Sequence, residues 1–206
     1  YHRAMAALDC SGPVPGYYNS PFPGEDGGPR RQLAPRSPGL GLQPGEHLRV
    51  TSRPAFMANM VVLRNPGEVF LQGNTAPSGN STSWIERIDP LTLAPLARSS
   101  DLPGGPFWAG GILVHANGYL YVTYGRYCHK LDAECRLLAS HELPQPQPYN
   151  SLLALSDGAL VMKNFVRDGS TKSYFSLLFP DDLAPICAEV EIPEGSIARI
   201  SRDISA

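Results

Sequence analysis

The sequence has no long apolar run. No stretch reaches the roughly 18 residues a membrane-spanning helix needs, and the longest, such as Ser151-Leu-Leu-Ala-Leu155, are of strand length. It has no dominant charge either. Seventeen Lys and Arg stand against nineteen Asp and Glu, for a formal net charge of −2, which leaves no basic footprint for nucleic acid and no pull toward an acidic bilayer. Cysteine is sparse and wrongly spaced for metal or redox chemistry. Cys10, Cys128, Cys135 and Cys187 contain no C-x-x-C pair, so they read as unpaired thiols. No Ser-His-Asp set, phosphate loop or metal-ligand cluster can be assembled from local spacing. Cys128 and His129 are adjacent, so on a strand they face opposite sides and cannot act as nucleophile and base. His115 and His141 read as solvated, at a turn and on an outer strand. No targeting segment is visible, and the formal glycosylation triplet Asn80-Ser-Thr82 leaves the compartment open.

What the chain does have is 21 Pro and 20 Gly, and their distribution divides it. Residues 1–55 carry Cys10-Ser-Gly-Pro-Val-Pro-Gly16, Pro21-Phe-Pro-Gly24 and Pro38-Gly-Leu-Gly41. Such a composition resists both helix and central strand, and it predicts an extended arm laid over a folded body. Within the arm, Glu46-His-Leu-Arg-Val-Thr-Ser52 alternates in the manner of a short strand.

From residue 56 onward the sequence repeats. Asn59-Met-Val-Val-Leu-Arg-Asn-Pro-Gly67, Gly110-Gly-Ile-Leu-Val-His-Ala-Asn-Gly118 and Asn150-Ser-Leu-Leu-Ala-Leu-Ser-Asp-Gly158 align on their glycines, each followed by a second apolar run. Each reads as strand, tight turn, strand, since Asn-Gly and Asp-Gly supply the positive φ a hairpin turn requires. A second hairpin follows each first one, turning at Asp89-Pro90, at Asp132 and near Asp181, and each unit closes on Leu102-Pro103, Leu143-Pro144 or Ile192-Pro193. Four strands per unit, with the turn glycines 51 and then 40 residues apart, predict an all-β fold: a β-propeller segment of four-stranded antiparallel blades. The units fall at about 56–103, 104–144 and 145–193, with the start of a fourth at 194–206. The inner strands should be apolar throughout, because a blade packs on a neighbour through both faces.

Alternate loops of such a blade emerge on one side. That side would carry the connections between units, with Trp108 and Tyr149, and the longer loops at Gly73–Asn80 and Asn164–Thr171. It is the face expected to take a small-molecule or protein ligand. The residues opening each inner strand, Asn59, Gly110, Asn150 and Arg199, would point at a central channel. Asn can ligate a hard cation such as calcium, or can tie the incoming loop to its strand. Arg suits a carboxylate or phosphate. Lys163 is a charge inside an apolar strand, aligned with Gln72 and Thr123, and reads either as channel-lining or as the wet end of a strand.

The stretch Pro148-Tyr-Asn-Ser-Leu-Leu-Ala-Leu-Ser-Asp-Gly-Ala-Leu-Val161 resembles the inner hairpin of gluconolactonase and strictosidine-synthase-like propellers. In the hydrolytic members of that group the Asn helps hold a catalytic calcium, which implies Asn150 as a metal ligand here. Positions 59, 110 and 199 carry no carboxylate of the kind those enzymes place beside it. Ile88-Asp-Pro-Leu-Thr-Leu93 is similar to the outer turn of quinoprotein-type propellers, which are often non-enzymatic. Two functions follow as expectations. One is a binding segment using Asn59, Trp108, Tyr149, Asn150, Lys163 and Arg199. The alternative is a calcium-assisted hydrolase or lactonase whose channel site is completed by further blades. In either case three blades make an unfinished ring, since closed propellers use about four to eight, and missing blades or a second copy would have to close it.

Overall fold

The computed structural model describes residues 14–31, 41–166 and 172–192. Over these the chain is all-β, three antiparallel sheets that follow one another as blades. Cys10, Arg199 and the start of a fourth unit at 194–206 lie outside the described residues. Blade 1 contains β1 (Ala58–Leu63), β2 (Val69–Asn74), β3 (Asn80–Ile88), β4 (Pro95–Arg98) and β5 (Leu102–Pro106). Blade 2 is β6 (Gly111–Val114), β7 (Leu120–Tyr124), β8 (Tyr127–Leu131) and β9 (Leu137–Glu142). Blade 3 is β10 (Tyr149–Ala154), β11 (Leu160–Asn164), β12 (Ser173–Leu178) and β13 (Val190–Ile192). Strand order within each sheet follows the sequence, as in a meander.

The turn chemistry explains the hairpins. Gly67, Gly118 and Gly158 take φ of 81°, 86° and 91°, a region closed to most side chains. In the outer turn of blade 1, Asp89 accepts the N–H groups of Thr92 and Leu91 at 2.8 and 2.9 Å, and these bonds hold its carboxyl below the ordinary range. Asp132 does the same work in blade 2 for Glu134 and Arg136.

The structure departs from the sequence expectations in three places. The outer strand of blade 1 is split: β4 pairs with the end of β3 and β5 with its start. Between them Ser99 bridges to Ile85, donating its N–H to the carbonyl and accepting the Ile85 N–H on its hydroxyl. Prolines at 95, 103 and 106 remove ladder donors, so one unbroken strand could not form. Blade 3 repeats the break, with a Leu178–Pro185 bridge ahead of β13. Second, Glu46–Ser52 forms no strand, and residues 41–52 are exposed along their whole length. Third, β6 and β10 are buried at every position, but Ala58, Asn59 and Val61 of β1 are exposed. The pattern of burial between blades supplies the reason.

Each blade has an upstream face, turned toward the preceding blade, and a downstream face. Val62, Phe70 and Ile85 of blade 1 pack on Ile112, Leu120 and Val122 of blade 2. Leu113, Tyr121 and Cys128 of blade 2 pack on Ala154, Leu160 and Met162 of blade 3. Each such side chain contributes about 1.5–3 kcal/mol when fully buried. Cys128 and His129 do face opposite sides, Cys128 toward blade 3 and His129 toward Pro103 of blade 1. The upstream face of blade 1 has no such neighbour among the described residues.

The arm runs along the ring axis. Residues 16–24 lie antiparallel to the free edge of β6, with bridges Tyr17–His115 and Gly24–Leu113. Backbone bonds join Tyr18 N–H to Val114 O (3.0 Å), Val114 N–H to Pro23 O (2.7 Å) and Ala116 N–H to Gly16 O (3.1 Å). Leu63 of β1 donates to Phe22 O at 2.8 Å, and Ala154 of β10 donates to the Tyr17 hydroxyl at 3.2 Å. One extended segment therefore satisfies inner-strand polar groups in all three blades, which would otherwise stand open.

Candidate functional site

The loop-rich side holds the connections at 107–110 and 143–148, the β2–β3 loop at 75–79, and Phe165 as the chain leaves β11. In blade 2 the corresponding β7–β8 link is only the turn Gly125-Arg126. Trp108, ahead of β6, stacks on Phe165 of blade 3, with ring centroids 4.3 Å apart and planes at 17°. Both rings are half-buried. Behind Phe165 lies Lys163, its Nζ 5.3 Å from the ring centroid and donating to Asn164 O at 2.7 Å. Lys163 is 0 % exposed. Burial lowers its amine to about 8, because the charged form loses its hydration.

Asn150 sits opposite Lys163 in the β10–β11 ladder and is buried. The register shifts just after it. Ser151, in the bulge, has φ of 58°, and its buried hydroxyl makes no hydrogen bond. A non-glycine residue in this conformation is uncommon and stored strain of this kind clusters at functional sites. The structure thus brings Trp108, Lys163 and Asn150 into one row, together with Phe165 and Ser151, which sequence reasoning missed. Phe165 follows a polar strand end and carries no signal of its own. The bulge at Ser151 is hidden inside an apolar run.

The other predicted residues lie elsewhere. Asn59 is exposed and its amide donates to Asn74 Oδ1 at 2.6 Å, so it ties two strands of its own blade. It lines a cavity of about 330 Å³ with Phe22, Glu25, Asp26, Met60 and Ala109. The arm delivers those two carboxylates, but Arg31 lies 2.6 Å from Glu25 and 3.6 Å from Asp26. Among the described residues no group of three or more His, Cys, Asp or Glu could hold a metal ion. Tyr149 is wholly buried. Its hydroxyl accepts the Gln145 N–H at 3.0 Å and donates to Glu189, which also takes bonds from Ser176 and from Gln145 Nε2. Burial first, and then the Glu189 carboxylate, pushes the phenol well above its ordinary range. Tyr149 is a strut between the blade 2–3 connection and the outer edge of blade 3.

The histidines are struts too. His115, expected in solvent, is buried, with Nε2 donating to Gly158 O at 2.9 Å and Nδ1 accepting the Asn117 N–H. His129 donates from Nε2 to Pro103 O at 2.8 Å and accepts the Ser140 hydroxyl on Nδ1. Burial lowers its imidazole to about 4.

No family model, no curated protein and no solved structure matches this chain. What defines the class is the fold itself, consecutive four-stranded antiparallel blades of an all-β array.

Proposed function

We propose that this chain is the binding segment of a β-propeller, and that its loop-rich face docks a partner protein or small ligand on the Trp108–Phe165 platform. The observation that carries this reading is the stacked, half-exposed aromatic pair bridging blades 2 and 3. Exposed aromatics on a rigid scaffold supply large contact area at little cost in side-chain freedom. Lys163 and Asn150 stand directly behind the pair and give it polar depth. A photo-crosslinking residue in place of Trp108, compared with the same residue at Asn117 on the tight-turn side, tests the proposal in the protein's own cells. Adducts concentrated at position 108 and competed by unlabelled protein are expected. Equal labelling at both positions, or turnover of a lactone or ester by the purified protein, would overturn it.

A further inference from the structure

The two interfaces between blades are built alike, which gives each position a counterpart. Val61, Ile112 and Leu152 each stand six residues before a turn glycine on the upstream face. Ile112 and Leu152 are 0 % and 1 % exposed, whereas Val61 is 40 % exposed. Leu71, Val122 and Met162 each stand four residues after the glycine. The last two are fully buried and Leu71 only partly so. Blade 1 therefore presents a face that in blades 2 and 3 is covered by the downstream face of another blade.

A second observation comes from the segment ahead of β1. In the repeat, the outer strand of one blade leads through a short connection to the inner strand of the next. Leu137–Glu142 lies 21 to 16 residues before Gly158, and Glu46–Ser52 lies 21 to 15 before Gly67. The segment thus holds the register of an outer strand. It has the alternation of one, with Leu48 and Val50 on one side and His47, Arg49 and Thr51 on the other. Yet Leu48 is 61 % and Val50 84 % exposed, with no strand beside them.

We propose that Glu46–Ser52 is the outer strand of a ring-closing blade, whose other three strands come from polypeptide outside these 206 residues. The same blade lays its downstream face on Val61 and Leu71. Its occupant chemistry is a three-stranded antiparallel sheet with an open third-strand edge, which an alternating strand completes through backbone hydrogen bonds.

Charge argues against a second copy of this chain in that place. Five residues after each turn glycine stand Gln72, Thr123 and Lys163. Thr123 Oγ1 meets Met162 Sδ of the next blade at 3.4 Å. Lys163 of a second copy would by the same register meet Leu71, whose ladder partner is Glu86. Glu86 is already paired with Arg53 and Arg98, so that cluster is net positive and repels an ammonium. A closing blade with a neutral or acidic residue at this level has no such conflict.

Hydrogen exchange and thiol labelling test this on the natural protein purified from its source, beside the 206-residue chain. In the natural protein the amides of 47–51 should exchange at least a hundredfold more slowly than in the 206-residue chain. A Val61→Cys thiol should be protected in the first and label freely in the second. Val50→Pro should lower the melting temperature of the natural protein and leave that of the 206-residue chain unchanged. Free exchange at 47–51 in the natural protein would overturn the proposal. So would protection in the 206-residue chain that grows with its concentration, because a second copy would then be the occupant.

Discussion

Replacing Lys163 by Met should stabilise the protein. The side chain is 0 % exposed, its one hydrogen bond goes to the neighbouring Asn164 carbonyl, and no carboxylate pairs with it. Burial lowers the amine from 10.5 to about 8. The sign follows from linkage: an amine more basic in the unfolded chain binds its proton more readily there, so below pH 8 the whole penalty falls on the native state. At about 1.4 kcal/mol per unit, the penalty is on the order of 3 kcal/mol at neutral pH. Losing the bond to Asn164 O returns about 1 kcal/mol of this, and methionine fills nearly the same volume without a charge. The net gain is about 2 kcal/mol, which raises the melting temperature by roughly 4–8 °C for a chain of this size. Urea unfolding of both proteins at pH 7, 9 and 10.5 reads the effect. The gap between them should close as pH rises from 8 to 10.5, where the native lysine becomes neutral. A destabilised Lys163→Met variant, or a gap that does not move with pH, would refute the reasoning and show that the ammonium has a native partner.

Two further outcomes are expected. Because burial holds His129 near 4 against 6.5 in the unfolded chain, stability should be complete above pH 6.5 and fall by up to about 3 kcal/mol as pH drops toward 4. His129→Gln, which keeps a donor for Pro103 O, should flatten that decline in urea melts, and an unchanged slope would remove His129 as its cause. Gly16 holds φ of 85°, and a Cβ there would stand 2.2 Å from the Leu155 carbonyl oxygen. Gly16→Ala should therefore lift the arm from β10 and speed amide exchange at Val114 and Ala116, and unchanged exchange at both would show that the arm is not seated as described.

The repeating hairpins were legible because their determinants are local. Gly118 and Gly158 turn where Asn-Gly and Asp-Gly predict, and Asp89 and Asp132 bind the N–H groups of their own turns. What escaped was set by contacts distant in sequence. Tyr149 looks like a loop aromatic, and only the approach of Glu189, forty residues on, makes it a buried strut. Trp108 and Phe165 meet across two blades, and neither residue's neighbours announce the other. His115 follows an apolar strand at a turn, a place that reads as solvent until the turn glycine of the next blade is packed against it.

The position of the candidate site shifts for the same reason. Register alone places Asn59, Gly110 and Asn150 at the mouths of inner strands, so an open axis would make them neighbours around a channel. An inner strand, however, has one free edge, and its N–H and C=O groups must find partners once water is excluded. The Pro/Gly-rich arm meets that need. Its extended backbone bonds along β6, and Gly16 permits a close approach to β10 that a side chain would block. With the axis so occupied, Asn59 faces the arm's Glu25 and Asp26, while Asn150 turns into the row formed with Lys163 and the Phe165–Trp108 stack. The two asparagines that look equivalent in the repeat therefore stand in unlike surroundings. Recognition by this protein has its polar and aromatic groups off the axis, at the junction of blades 2 and 3.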